Sequence, residues 1–204
     1  MVGEPVTARE TVLARLRAAL GPAAPALTEV PRDYRRDGVV DIERLVDRLT
    51  DYRAQVHRVA ATAVADTIAG ILPAAAIVVV PPGLPSAWLP STVTVLPDDD
   101  LDNARIAAAA AVVTAAAVAI ADTGTVVLDG SPDQGRRVLS LLPDRHVCVV
   151  RTAQVVADVP QALARLTPHR PLTWISGPSA TSDIELDRVE GVHGPRTLHV
   201  ILLP

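Results

Sequence analysis

From residue 76 onward, the chain alternates short runs of apolar, mainly β-branched residues with turn residues and helical stretches. The apolar runs are continuous, which is typical of strands covered on both faces of a mainly parallel sheet. The predicted strands span residues 76–80, 93–96, 125–128, 147–150, 172–175 and 198–203. Helices are predicted at 134–142 and 159–166, where they would cover this sheet. The pattern therefore predicts an α/β fold.

Helical periodicity dominates the first third of the chain. An amphipathic helix is predicted from Thr7 to Leu20, and Gly21-Pro22 ends it. Residues 22–38 are rich in Pro and Ala and lack a clear period, which favours a tether. Asp41 is a predicted N-cap for a long helix over residues 42–72.

The two regions define the predicted domain organisation. The 204 residues exceed one average domain of ~150 residues and fall short of two. We predict an N-terminal helical arm over residues 1–38 and a single α/β domain over residues 39–204. The uncharged stretch 106–121 is predicted to be a buried helix of small residues, because it is too short and too alanine-rich to span a bilayer.

Composition and charge exclude several classes of protein. All 19 basic residues are Arg, and with 23 acidic residues the net charge is −4. A general nucleic-acid-binding protein normally has a basic excess, and the few aromatic residues leave little surface for stacking on bases. The N-terminal residues lack the pattern of a secretory signal, so a cytoplasmic location is expected.

A single cysteine limits the redox chemistry of this chain. Cys148 cannot form an internal disulfide, and one thiolate cannot supply the ligands of an iron–sulfur cluster. The five histidines show no zinc-ligand spacing, so no metal site is predicted. If the protein takes part in redox chemistry, another molecule must carry the electrons.

The first candidate site is the sequence Asp122-Thr123-Gly124-Thr125, which enters the strand predicted at 125–128. It gathers a carboxylate and two hydroxyls at one turn, with Asp122 as a candidate acid or base. The alternative is structural, because Asp122 and Thr123 could bond backbone groups while Gly124 adopts a conformation that other residues resist. The residues alone leave both interpretations open.

The second candidate site follows the fifth predicted strand. Gly177 allows a sharp turn there. The hydroxyls of Ser179, Thr181 and Ser182 come next, beside backbone amides, which is typical of an anion-binding loop. Ser182 and Glu185 also form a capping-box pattern, so the segment could simply begin a short helix. A helix N-terminus can itself bind an anion, so the two interpretations are compatible.

The third candidate site is His193, which lies between Gly191 and Gly194 in a loop before the last strand. An exposed imidazole titrates near neutral pH, so His193 is a candidate general acid or base. A structural role for a loop histidine is the alternative.

Four segments in this order resemble the LUD-domain family, and within it the lactate utilization protein C branch, the LutC/YkgG family. The segments are Ile120 to Thr125, Leu142 to Val147, Gly177 to Glu185 and Gly191 to Pro195. The resemblance covers about the last half of the chain. It implies a three-layer fold similar to the NagB/RpiA/CoA-transferase group, with a mainly parallel mixed sheet.

The resemblance also implies a role in bacterial oxidation of L-lactate to pyruvate. Two partner proteins, of A and B type, would carry the iron–sulfur clusters, and this chain would hold no cofactor of its own. The family usually has Glu at the position of Asp122. The side chain of Asp122 is one methylene shorter than Glu, so its carboxylate reaches less far towards a reacting atom. This difference disfavours a direct catalytic role for Asp122.

Our leading hypothesis is a non-cluster subunit or accessory factor of lactate oxidation that binds a small anionic ligand, a carboxylate, phosphate or acyl compound, where the three sites meet. Its catalytic residues would be Asp122 and His193. Its ligand-binding residues would be Thr123, Gly124, Thr125, Gly177, Ser179, Thr181, Asp183 and Gly194.

Two other hypotheses stay open. One is a stand-alone enzyme similar to CoA transferases or folate cyclo-ligase, which would use Asp122 as base or nucleophile on an acyl or activated carboxylate. The other is an assembly scaffold in which the motifs are purely structural. The N-terminal helix would pack on a neighbouring subunit of a homo-oligomer or on its own body.

Overall fold

The valine-rich runs of the sequence form the middle of a sheet of six parallel strands. The computed structural model describes residues 7–21, 29–34, 37–181, 189–190 and 194–204. Its strands are β1 (Gln55–Arg58), β2 (Ile77–Val80), β3 (Thr94–Pro97), β4 (Ala111–Ala115), β5 (Val118–Ile120), β6 (Thr125–Leu128), β7 (Arg145–Arg151), β8 (Val155–Val156), β9 (Thr173–Ile175), β10 (Ala180–Thr181), β11 (Val189–Glu190) and β12 (Thr197–Leu203). The parallel sheet has the order β1-β12-β7-β4-β2-β3. Each of the six predicted strands corresponds to an observed strand.

A second, smaller sheet has the order β8-β5-β6-β9. In it, β6 pairs antiparallel with both β5 and β9, while β8 joins β5 in parallel. Strands β10 and β11 form a separate antiparallel pair. The strands predicted at 125–128 and 172–175 therefore belong to the smaller sheet rather than to the large one.

The helices begin at the capping residues that the sequence provides. They are α1 (Ala8–Leu20), α2 (Ile42–Asp51), α3 (Val64–Ile71), α4 (Asn103–Ala107) and α5 (Val159–Arg165). Asp41 caps α2 as predicted, since its carboxylate accepts a hydrogen bond from the Arg44 backbone N–H. Thr7 caps α1, and Gly21 ends it. In the described part of the chain, no helix has the length and apolar character needed to cross a membrane.

The N-terminal helix belongs to a compact unit of its own. The structure groups residues up to Tyr34 in one unit and those from Arg35 onward in another. On α1, Val12, Leu16 and Leu20 are exposed. Residues 22–28 and 35–36 of the predicted tether lie outside the described residues. The domain boundary at residue 38 and the surface on which α1 packs stay predictions.

Alternate side chains of the central strands pack on opposite faces of the large sheet. Val147 and Val149 of β7 pack in one layer with α3. Cys148 and Val150 pack in another layer with α2 and the smaller sheet. All four are fully buried, and burying a valine contributes about 1.5–3 kcal/mol. The mixed α/β architecture with a mainly parallel sheet is as predicted.

The predicted helix over residues 42–72 is wrong beyond the end of α2. The chain turns at Arg53, which has a φ of +66°, then forms β1 and becomes helical again in α3. His57 was expected on the helix but lies on β1, where its Nε2 is 3.1 Å from Nδ1 of His199. Pairing of β1 with β12, a contact between distant parts of the chain, overrides the local helical period.

Two other helix predictions are also wrong. The only helical part of the alanine-rich stretch 106–121 is the end of α4, and half of its residues form β4 and β5. Every residue of β4 is buried, because the strand lies between β2 and β7 at the centre of the large sheet. Residues 134–142 contain only a 3₁₀ helix, Arg137–Ser140, which follows a turn at Gly135 with a φ of +72°.

Two glycine turns lie against the end of α2 and fix the position of the loops around it. Gly124 has a φ of +61°, and a Cβ atom there would lie 2.5 Å from Cβ of Arg48. Gly177 has a φ of +83°, and a Cβ atom there would lie 2.7 Å from the carbonyl oxygen of Tyr52. Only glycine permits both the backbone conformation and the close approach.

Gly124→Ala should lower the free energy of unfolding by more than about 2 kcal/mol, because the left-handed conformation and the contact with Arg48 both oppose a side chain. The matched control is Gly70→Ala on α3, where nothing lies within 4 Å of the added Cβ atom. This control should raise stability by about 0.4–1 kcal/mol. Urea unfolding measures both, and equal effects would contradict the close approach.

Burial of His146 predicts a pH-dependent stability. The ring is 1% exposed, its Nε2 is 2.8 Å from Oγ1 of Thr114, and burial lowers its pKa from the ordinary 6.5 to about 4. The unfolded chain therefore binds a proton at a higher pH than the folded chain, and stability falls as the pH drops from 6.5 towards 4. Between about pH 7.5 and about pH 5, the loss is about 2 kcal/mol.

Urea unfolding of His146→Gln at these two pH values tests the prediction. The substitution should remove about 2 kcal/mol of the pH dependence. The matched control His169→Gln, at an exposed position, should keep it. Burial also lowers the pKa of His199 to about 4, and its contribution of the same sign should persist in both variants. An unaltered pH dependence in His146→Gln would show that this ring is not held neutral by the fold.

Candidate functional site

The turn between β5 and β6 holds Asp122 against α2. Oδ1 of Asp122 accepts a hydrogen bond from Nη1 of Arg44 at 2.6 Å, and the two side chains are 30% and 52% exposed. The backbone N–H of Asp122 donates to the carbonyl of Ala157. The carboxylate therefore lies at the surface in an ion pair with the helix that also supports Gly124.

Three hydroxyl groups connect this turn to the loop after β9. Oγ1 of Thr123 lies 2.7 Å from Oγ1 of Thr125, which lies 2.8 Å from Oγ of Ser176. Thr125 is 5% exposed, whereas Thr123 and Ser176 are exposed. Each hydroxyl can donate one hydrogen bond and accept another, so the three form a continuous chain. The first and second candidate sites are thus joined.

A groove of about 500 Å³ runs along the loop after β9. One wall contains Ser176, Gly177 and Ser179, and the backbone N–H of Ser179 donates to the carbonyl of Pro195. Gly194 lies beside Ser179 and also lines the groove. Residues that are far apart in the sequence therefore line one concave surface. Such a surface is typical of a ligand site.

The lining of the groove also carries a positive charge. Arg137 and Ser140, from the 3₁₀ helix, line the groove. Within the described residues, the exposed guanidinium of Arg137 forms no ion pair, whereas its neighbour Arg136 is paired with Asp98. The hydroxyl of Ser140 donates to the carbonyl of Arg137. An arginine without a carboxylate partner in the described part of the chain, lining the same groove as hydroxyls and glycines, suits an anionic ligand.

The crevice where ligands often bind in parallel α/β sheets is filled by the chain itself. It lies beyond the carboxyl ends of β2 and β4, where the strand order reverses. The backbone N–H of Gly83 donates to the carbonyl of Pro132, and that of Ala115 donates to the carbonyl of Asp133. A loop after β6 therefore closes this crevice, and the groove at β9 is the more open surface.

The buried ionisable groups of the sheet core do not contribute to the groove. Burial raises the pKa of the Cys148 thiol to about 12, so it stays protonated at neutral pH. Cys148 is free and buried. Across the described ranges, no group of three or more His, Cys, Asp or Glu residues could hold a metal ion.

The structure brings together part of the predicted site. Gly177, Ser179 and Gly194 line the groove. Thr123 and Thr125 reach it only through Ser176, and Gly124 supports the turn on α2. Thr181 lies on β10, paired with Val189, and its side chain is outside the described part. Asp183 and His193, together with the capping box of Ser182 and Glu185, also lie outside the described residues.

Sequence reasoning missed four residues that belong to this surface. They are Arg44, Arg137, Ser140 and Ser176. Because a helix was predicted at 134–142, Arg137 was interpreted as an ordinary surface residue of that helix and not as a site residue. The Gly-Arg-Arg sequence that begins at Gly135 was the available signal, since a glycine before two arginines marks a turn with exposed cations.

Comparison with known proteins shows which family this chain resembles. The model of the LUD domain matches residues 99–203, which include both glycine turns and the groove. The chain is similar to lactate utilization protein C from Deinococcus radiodurans, with 49% identity over 167 residues and 79% of each chain covered. It is 38% identical over 99 residues to lactate utilization protein C from Bacillus subtilis, which covers 45% of this chain and 41% of that one.

A solved structure agrees with the sequence matches. The crystal structure of a DUF162 family protein from Deinococcus radiodurans has a TM-score of 0.69 and 43% sequence identity to this chain. The match covers 79% of this chain and 95% of that one. With the family model matching about half of the residues and a close relative covering most of them, the chain belongs to the LUD-domain family.

Proposed function

We propose that this chain takes part in bacterial oxidation of L-lactate to pyruvate, as a subunit or accessory factor without a metal cluster, and that it binds a small anionic ligand in the groove beside β9. Support for the role comes from relatives named lactate utilization protein C. Support for the ligand comes from the groove, whose lining includes both Arg137 and Ser176.

The hydroxyl chain gives Ser176 a preferred direction as a donor. When Ser176 donates to an anion, its oxygen accepts from Thr125, and Thr125 accepts from Thr123. All three hydroxyls then point towards the negative charge, and hydrogen bonds aligned in this way strengthen one another. Thr123 and Thr125, predicted as ligand contacts, would therefore act through Ser176.

Asp122 stays the candidate acid or base of the site, together with His193. Its ion pair with Arg44 anchors the turn that begins the hydroxyl chain. Asp122→Asn keeps the size of the side chain and removes its charge, so it tests both the anchor and any proton transfer. Thr181 and Asp183 are proposed to complete the ligand site.

Iron–sulfur proteins of A and B type are the proposed partners. Oxidation of lactate to pyruvate releases two electrons, and the single thiol of this chain is buried and protonated. Cluster ligation needs several thiolates, so the clusters would lie in the partner proteins. The chain would supply a ligand site rather than an electron carrier.

Lactate-dependent dye reduction by the purified partner proteins, with and without this chain, tests the proposed function. We expect the rate to rise when the chain is added. Arg137→Gln should reduce this rise by about tenfold or more, because a hydrogen bond to a charged group contributes about 1.5–3 kcal/mol. Asp122→Asn should also reduce it. The matched control Arg105→Gln, at an exposed position on α4, should behave like the natural chain.

Equal rates with and without the chain would overturn the proposed role. If the chain alone then converted an acyl or nucleotide-activated carboxylate, the stand-alone enzyme would replace it, with Asp122 as base or nucleophile. If the chain were required but Arg137→Gln and Asp122→Asn had no effect, the scaffold hypothesis would be correct.

A further inference from the structure

A smaller cavity of about 170 Å³ lies next to the groove. Arg137, Ser140 and Thr173 line both spaces, so the two are adjacent at these residues. The groove is the wider space, and the smaller one is the inner cavity.

The inner cavity has mainly apolar walls. Leu128 and Thr173 are direct partners across the β6–β9 pair and lie on the same face of the smaller sheet. Pro171 and two glycines, Gly130 and Gly135, complete the walls. An added Cβ atom at Gly130 would lie 3.7 Å from Cγ of Pro171, so the absence of a side chain there leaves this space open.

The charged residues near the inner cavity indicate where the anionic group of a ligand would bind, which is beside the groove rather than inside the cavity. Arg136 also lines the cavity, but its guanidinium donates to both carboxylate oxygens of Asp98 and to the carbonyl of Leu101. Its charge is therefore already compensated. Arg137, at the boundary with the groove, has no ion-pair partner among the described residues and is available to a ligand.

We infer that the ligand of this site is a monocarboxylate with an apolar tail or ring of about six carbon atoms, whose carboxylate binds between Arg137 and Ser176 and whose tail fills the inner cavity. The inference rests on the proposed anion site and specifies its ligand class. An apolar cavity of about 150 Å³ is large enough for benzene, and the inner cavity is of that size. The methyl group of lactate would leave most of it empty.

Titration with straight-chain carboxylates from propanoate to octanoate tests the inference, with the backbone amide signals of the glycines as the readout. Affinity should rise about fourfold for each methylene that enters the cavity, and it should level off after about six tail carbons. Propanoate should shift the signals of Gly177 and Gly194 in the groove. Longer acids should also shift those of Gly130 and Gly135 in the cavity.

Two variants locate the tail. Thr173→Leu fills the cavity with a larger side chain, so the affinity for heptanoate should fall to that for propanoate. The matched control is Thr94→Leu, which makes the same change at an exposed position of strand β3 and should retain the natural preference for long tails. Circular dichroism and urea unfolding check that both variants fold.

The outcomes separate this inference from the proposed function. If propanoate binds and longer acids bind no tighter, or do not shift Gly130 and Gly135, the tail site is refuted while the anion site stands. If affinity rises steadily beyond six carbons, the tail lies on an open surface and the inference is wrong. If no carboxylate binds, the anion site itself fails.

Discussion

The close approach of two glycine turns to the end of α2 is the constraint on which the candidate site depends. Gly124 touches Arg48, and Gly177 touches Tyr52, at backbone conformations that favour glycine. The antiparallel pairing of β6 with β9 places Thr125 opposite Ser176, and the end of α2 supports the turns beside both strands. The hydroxyl chain from Thr123 to Ser176 is the consequence, and it ends at a residue that lines the groove.

The rest of the fold is consistent with the ligand site that we propose at the groove beside β9. The loop after β6 fills the crevice between β2 and β4 through the hydrogen bonds of Gly83 and Ala115. That same loop continues into the 3₁₀ helix that carries Arg137 to the groove. One segment thus closes the usual binding crevice of a parallel sheet and carries Arg137 to the proposed ligand site beside the smaller sheet.

Local sequence patterns predicted most of the strands, but they did not predict the features that depend on packing between distant parts of the chain. Continuous valine runs are strands in any buried sheet, so β2, β7 and β12 could be found from the sequence. β4 has three β-branched residues between two alanines, but the alanines before and after it have a high helix propensity and concealed this strand, which burial between β2 and β7 stabilises. The turn residues Gly124 and Gly177 were predicted, whereas Arg137 was missed, because the helix predicted at 134–142 was preferred over the turn signal at Gly135.

The most direct test of the account is whether the hydroxyl chain contributes to anion binding in the groove. Propanoate titrations of Thr125→Val and Thr125→Ser, followed by the amide signals of Gly177 and Gly194, measure this. Thr125→Val should weaken binding by about three- to tenfold, and Thr125→Ser, which keeps the hydroxyl, should retain the natural affinity. If a folded Thr125→Val protein bound propanoate with the natural affinity, the hydroxyl chain would make no contribution to anion binding. The claim that the two turns build one site would then fail.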